Sequence, residues 1–345
     1  MTGTLSRRKR VAFAAVTVVV SLIATFAALG VVDVLLRRHY TPTLGLNMWG
    51  YRGRVVGRKA PGERRVVMLG GSTVFGFGVS PTQTLTAYLE GRLRTARPGG
   101  GTVTVVNLGY VREGAWSFRA TLADYAYLDY DVAVLYEGYN DLRHANRRVF
   151  RRDSPVFRLT GYFPILPLVL DEKSRAIRYG GDLGERFGRE DPVFRPGLGD
   201  KATSGALKAA AEVTRALERV LGPLTREPAA RRTESAAPTS CGEPFRRYCD
   251  NVSAGVEEAL AHGARVLVVT QPYISDTHVA QQRHLAALMR ERFGSDPRVA
   301  YVDLGAAVDL RDPAVAWDGM HLTPPGNAAL AEKLAEPVAR LLAVR

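Results

Sequence analysis

The sequence predicts a three-layer α/β/α domain built on a five-stranded parallel sheet, preceded by one N-terminal transmembrane helix. Five short β-branched runs carry the sheet, at 65–69, 103–106, 132–136, 265–270 and 299–302. None alternates strictly between apolar and polar residues, as befits strands buried on both faces. Helical stretches at about 82–96, 115–128, 244–262, 277–293 and 326–343 separate them. Strand–helix alternation of this kind places helices on both faces of a parallel sheet. The third observation is an uncharged apolar run at 11–32. At 1.5 Å per residue it reaches about 33 Å, enough for a hydrocarbon core of roughly 30 Å.

Charge orients that run. Arg7, Arg8, Lys9 and Arg10 precede it, and Arg37 and Arg38 follow. The excess at the N-terminus keeps that end in the cytoplasm and the rest of the chain on the periplasmic or outer side of the cytoplasmic membrane. A cleaved signal peptide is the competing reading. The run is longer than a usual signal core, and no small-residue cleavage site stands before Asp33, which favours a retained single-pass anchor. The expected organisation is a basic N-terminus at 1–10, an anchor at 11–36, a connector at 37–64 and a globular domain at 65–345 with an insertion at about 143–240.

The same charge pattern excludes a nucleic-acid reading. Of the net charge of +13, ten charges lie within residues 1–65, where twelve Lys/Arg face two acidic residues. The folded remainder is close to neutral, without the basic face that nucleic acid requires. Two cysteines, Cys241 and Cys249, are present. An extracytoplasmic location permits a local disulfide between them, and two free thiols are the alternative. No His or Cys spacing suggests a metal site, and no phosphate or dinucleotide loop is complete, so neither metal nor cofactor is expected.

Within the insertion, two prolines in the stretch 162–170 argue against a long helix. An amphipathic helix is expected at 203–222, followed by a Pro/Ala/Thr/Ser/Arg tract at 223–240.

Four groups of residues fall just past the C-terminal ends of different strands, where open α/β sheets place their sites. Ser72 follows Gly70 and Gly71 after the first strand, and two glycines permit the sharp turn that exposes a hydroxyl. Asp318 and His321 stand three apart near the C-terminus, so one loop can set the carboxylate beside the imidazole. A serine hydroxyl is a poor nucleophile until such a base takes its proton. Gly138-Tyr139-Asn140-Asp141 follows the third strand; Asn107-Leu108-Gly109 and Gly114 follow the second. Backbone N–H groups and an Asn amide can meet a developing oxyanion. Each group alone reads as an ordinary capped turn or loop; together they make one site.

In these residues the chain resembles the SGNH (GDSL-like) hydrolases. Gly70-Gly71-Ser72-Thr73 stands where that family has its Gly-Asp-Ser-Leu block. Gly138-Tyr139-Asn140-Asp141 matches its G-x-N-D block, and Asp318-Gly319-Met320-His321 its D-x-x-H block. The likeness covers roughly 65–142 and 244–343, with a lead-in at Asn47-Met48-Trp49-Gly50-Tyr51-Arg52-Gly53. It implies a flavodoxin-like strand order and a serine esterase. Ser72 would be the nucleophile, His321 the base, Asp318 its orienting acid, and Ser72 N–H, Gly114 N–H and the Asn140 amide the oxyanion hole. The family spaces its glycine closer to the Asn of the second block than Gly114 lies from Asn107, so Gly109 is the other candidate. The expected substrates are O-acyl or acetyl esters of envelope or exported polysaccharide, or of lipid. O-acyl transfer to a sugar hydroxyl with the same residues is one alternative, and a non-catalytic envelope protein that retains the fold is another. His144 is expected on an exposed loop and His278 and His284 on a helix surface, while Tyr136, Glu137 and Tyr139 could shape the pocket.

Overall fold

A computed structural model describes residues 6–42, 44–96, 101–142, 149–179 and 241–343, with a few positions between 206 and 213. The chain divides into two compact units, Met1–Thr41 with Pro164–Val220, and Pro42–Phe163 with Leu221–Arg345. The helix expected at 203–222 lies mostly outside the described residues, and the tract at 223–240 entirely so.

The second unit holds the sheet. Its strands are β1 (Arg64–Gly70), β2 (Val103–Asn107), β3 (Val132–Tyr136), β4 (Arg265–Thr270) and β5 (Val299–Asp303). They pair in parallel in the order β2-β1-β3-β4-β5. This is the flavodoxin-like order, and its direction of winding reverses between β1 and β3. The apolar runs are continuous because both faces are covered. Val66 and Met68 face one side and Val67 and Leu69 the other, all 1% exposed or less.

The helices of this unit are α2 (Ser72–Phe75), α3 (Leu85–Thr95), α4 (Phe118–Asp124), α5 (Pro155–Thr160), α7 (Arg246–Ala261), α8 (Asp276–Leu288) and α9 (Pro324–Ala343). On one face, Leu85, Leu89 and Leu93 of α3 and Leu330, Leu334 and Val338 of α9 close over Val66, Met68, Val134 and Leu267. On the other, α7 presses on α4 and β3. A Cβ at Gly255 would fall within 2.8 Å of Phe118 and 3.3 Å of Leu135, so only glycine permits that approach. Cys241 and Cys249 are joined in a disulfide, with their Cα atoms 6.3 Å apart.

The connector is woven into this unit. Tyr51 is fully buried. The Arg52 guanidinium donates to the carbonyls of Phe75, Gly76 (2.6 Å) and Val79 (2.6 Å), pinning the chain just past Ser72. Burial lowers its pKa to about 10.

In the first unit, α1 (Arg7–Tyr40) is a single 34-residue helix, long and apolar enough to cross a membrane. The second helix there is α6 (Leu166–Tyr179), which corrects the expectation from the prolines. Pro167 sits in the first turn of α6, where no intrahelical N–H bond is lost and proline is well tolerated. Asp33 is the one buried residue of α1, and its Oδ1 accepts from Ile165 N and Leu166 N, both at 2.6 Å. The carboxylate thereby satisfies N–H groups that the start of α6 leaves without intrahelical partners.

Candidate active site

Ser72 opens the one-turn helix α2 at the end of β1. Asp318 and His321 lie in the loop between β5 and α9. Asp318 Oδ1 accepts from Met320 N (3.0 Å) and His321 N (2.7 Å), which folds the loop into a side-chain-capped turn. Gly319 occupies the left-handed position of that turn, with φ +76°. The turn leaves Oδ2 of Asp318 2.6 Å from His321 Nδ1, and His321 Nε2 lies 2.8 Å from Ser72 Oγ. With Nδ1–H directed at the carboxylate, Nε2 is the acceptor for the serine hydroxyl. Residues 249 positions apart in sequence thus meet in one hydrogen-bonded relay.

Burial raises the Asp318 pKa, but its hydrogen bonds and charge interaction with His321 outweigh that and hold the carboxyl below its ordinary range. The imidazole is 2% exposed. It packs against Phe77, 5.2 Å away, and stacks on Trp317 at 5.4 Å, while those two rings stack on each other at 6.1 Å. These two rings fix its plane. Both stand in the sequence as aromatics beside the serine and D-x-x-H blocks, a position that does not by itself tell a ring packed on the imidazole from an ordinary core residue.

Asn140 begins the turn after β3. Its Nδ2 donates to the Glu113 carbonyl at 2.7 Å. A Cβ at Gly71 would collide with Asn140 Nδ2, Glu137 Oε2 and the Glu113 carbonyl, so the amide and the turn ahead of Ser72 are in contact. Gly114 follows Glu113 directly, in a loop where Ala115 N donates to Asp141 Oδ2 at 2.9 Å. Gly109 lies elsewhere: its N–H donates to Asn107 Oδ1 at 3.1 Å, and its Cα packs beneath Phe75 N and Val74.

Three buried groups support these loops: Glu137, expected only to shape the pocket, and Arg151 and Gln271, which no motif marks. Glu137 accepts from Gly71 N, from Asn140 N at 3.0 Å and from Gly138 N at 3.1 Å. Burial pushes its carboxyl up to about 7, against the downward pull of those bonds. Arg151, fully buried, donates to the carbonyls of Gly50 (3.0 Å) and Leu108 (2.8 Å). Gln271 accepts from Tyr139 N at 3.1 Å and donates to Thr73 Oγ1 at 2.9 Å. Arg112 is one of two described non-glycine residues with positive φ (+66°), in the turn closed by Glu113 N on Tyr110 O.

His278 corrects an expectation. It is fully buried, packed edge-on against Tyr139 with ring centroids 4.9 Å apart, and burial lowers its pKa to about 4. His284 is half-buried against Phe245. His144 lies outside the described residues. Tyr136 is buried in the core cluster, and Tyr139 Oη donates to the Pro272 carbonyl. No group of His, Cys, Asp and Glu able to hold a metal ion occurs among the described residues.

No family model matches the chain, and no curated protein matches it. Solved structures do. Its structural neighbours are G-D-S-L-family and carbohydrate-esterase proteins. One is a protein described as lipolytic, of the G-D-S-L family, from Desulfitobacterium hafniense, with TM-score 0.41 and 11% identity over 80% of this chain and 98% of that one. Another is Axe2, an acetylxylan esterase from Geobacillus stearothermophilus, with TM-score 0.41 and 16% identity over 82% and 95%. A family 3 carbohydrate esterase from Clostridium thermocellum gives TM-score 0.39 and 13% identity over 82% and 100%.

Proposed function

We propose that the protein is a membrane-anchored serine esterase that cleaves carboxylic esters through an acyl-enzyme. The observation that carries this reading is the relay from Asp318 Oδ2 to His321 Nδ1 (2.6 Å) and from His321 Nε2 to Ser72 Oγ (2.8 Å). It is the arrangement that activates a serine hydroxyl.

Ser72 Oγ attacks the acyl carbon and its proton passes to His321 Nε2, while Asp318 offsets the imidazolium charge. The carbonyl π electrons become an oxyanion, met by the Ser72 N–H, the Gly114 N–H and the Asn140 amide. An amide nitrogen carries two N–H groups; Asn140's amide donates to the Glu113 carbonyl and also hydrogen-bonds the Glu137 carboxyl, so it meets the oxyanion by exchanging the Glu137 contact. Gly114 is preferred over Gly109 because the Gly109 N–H is committed to Asn107. Collapse expels the alcohol, which takes the proton from His321. Water then repeats the sequence on the acyl-enzyme, releasing the acid and restoring Ser72.

Location narrows the substrate. With Arg7–Arg10 in the cytoplasm and α1 across the membrane, the site faces the periplasm or cell exterior, among O-acylated envelope or exported carbohydrate and lipid. Retention of α1 is supported by Asp33, which this helix carries and whose carboxylate caps the start of α6.

The test is fluorophosphonate labelling of the full chain in detergent, alongside nitrophenyl acetate hydrolysis. The expected outcome is stoichiometric labelling and turnover in the wild type and neither in Ser72→Ala. A Ser72→Ala protein that hydrolyses the ester at the wild-type rate would end this reading.

A further inference from the structure

The Glu137 carboxyl takes no part in the steps above, yet it touches both halves of the site. It is 2% exposed. Oε2 accepts from Gly71 N, one residue ahead of Ser72, and Oε1 accepts from Asn140 N (3.0 Å) and Gly138 N (3.1 Å). Its own carbonyl accepts from Tyr248 Oη at 2.7 Å, and Tyr248 Oη in turn accepts from Gln282 Nε2 at 3.1 Å. We propose that Glu137 is a positioning residue whose single carboxylate locks the turn carrying Ser72 to the turn carrying Asn140. The proposal rests on the esterase reading for its consequence, though not for its geometry.

The sheet explains why such a lock is needed. β1 and β3 are paired as far as Gly70 and Tyr136, and beyond that register the ladder ends. The two chains then part, one into α2 and the other into the 138–142 turn, leaving backbone N–H groups with no strand to bond. A buried N–H without an acceptor costs roughly 1–3 kcal/mol. A carboxylate is the one side chain that accepts at two oxygens and donates at neither. Glutamine in its place would aim an NH2 group either at Gly71 N–H or at the pair from Gly138 and Asn140, so donor would face donor. Aspartate falls a methylene short. The absence of a Cβ at Gly71 is what lets the carboxylate reach that peptide.

The nucleophile and the oxyanion donor sit on the two turns so joined. Misplacing reacting groups by about 1 Å can cost about 10²-fold in rate.

The experiment compares wild type, Glu137→Gln and Tyr248→Phe as full chains in detergent. Hydrogen exchange is followed on peptides covering 68–76 and 138–142, and kcat and KM are measured on nitrophenyl acetate, normalised to active centres titrated with fluorophosphonate. In Glu137→Gln both peptides lose protection together while β1–β4 keep theirs, and kcat falls about 10²-fold with KM little changed. Tyr248→Phe, a milder change, loosens 138–142 and lowers kcat in the same direction. It carries the test should Glu137→Gln fail to accumulate. A folded Glu137→Gln protein with wild-type kcat, or loss of protection in one peptide only, overturns the proposal. Joint loosening of both peptides in a protein whose wild type hydrolyses no ester would leave the lock standing and remove the esterase reading instead.

Discussion

Asp318 and Glu137 are carboxyls of the same site that burial pushes the same way, and their partners decide the outcome differently. At Asp318, His321 wins over desolvation and the folded pKa lies below the usual value. Its contribution to stability is therefore present above the unfolded pKa of about 3.9 and drains away as pH falls through the lower folded one. Glu137 runs in the opposite sense, since desolvation wins and lifts it to about 7. Its contribution is complete below an unfolded pKa of about 4.3 and is lost as pH rises through about 7. The ionised carboxylate that accepts three backbone N–H groups is thus held at a cost in stability, a common trade at functional sites. Asp318→Asn tests the first carboxyl. We expect kcat to fall about 10⁴-fold, because the amide no longer favours the Nδ1–H tautomer. Urea unfolding followed as pH falls below about 5 should also lose the part of its acid dependence that Asp318 supplies. An Asp318→Asn protein with wild-type kcat would remove the residue from the relay.

At the scale of elements, α1 and α6 show how an apolar helix long enough to cross a membrane can end inside a folded unit. Asp33 Oδ1 binds the N–H groups of Ile165 and Leu166, and Lys173 Nζ lies 5.9 Å over the Tyr40 ring. Positions 33 to 40 therefore run alongside 166 to 173, two helices in the same direction. Arg37 reaches Oδ2 of Asp33 at 3.5 Å. Asp33→Ala removes an acceptor worth about 1 kcal/mol at a helix start. Protease cleavage within 164–179 of the full chain should then rise roughly fivefold, with Asp33→Asn closer to wild type because it retains an oxygen acceptor. Unchanged cleavage in Asp33→Ala would mean the contact does not hold α6.

For the whole molecule, the consequential fact is where the charge lies. Ten of thirteen net positive charges fall in the first 65 residues, four of them just ahead of the apolar run. The positive N-terminal flank predicts an outward-facing active unit. In intact spheroplasts, added protease should digest residues beyond 42 and leave the first ten protected; in inverted vesicles the pattern should reverse. Digestion of the active unit only in inverted vesicles would overturn the orientation and with it the argument for envelope substrates.

Local sequence determined a good deal here. The five strands and the positions of Ser72, Asn140, Asp318 and His321 were legible because burial on both faces and a tight strand-to-helix turn leave their mark in adjacent residues. So was an N-terminal apolar helix, expected at 11–36 and found to run over Arg7–Tyr40. Tertiary structure decided what depends on partners distant in sequence. Glu137 reads as one more acid beside a strand until Gly71, 66 residues away, is folded against it. Asp33 reads as the charge ending a hydrophobic run until Ile165, 132 residues on, donates to it. His278 reads as a surface histidine because a helix of mixed composition does not announce which face Tyr273 and Tyr139, the latter from a loop far back along the chain, will cover. Hydrogen bonding and burial of single polar side chains are set by neighbours that only the folded chain supplies, whereas period and turn chemistry are written residue by residue.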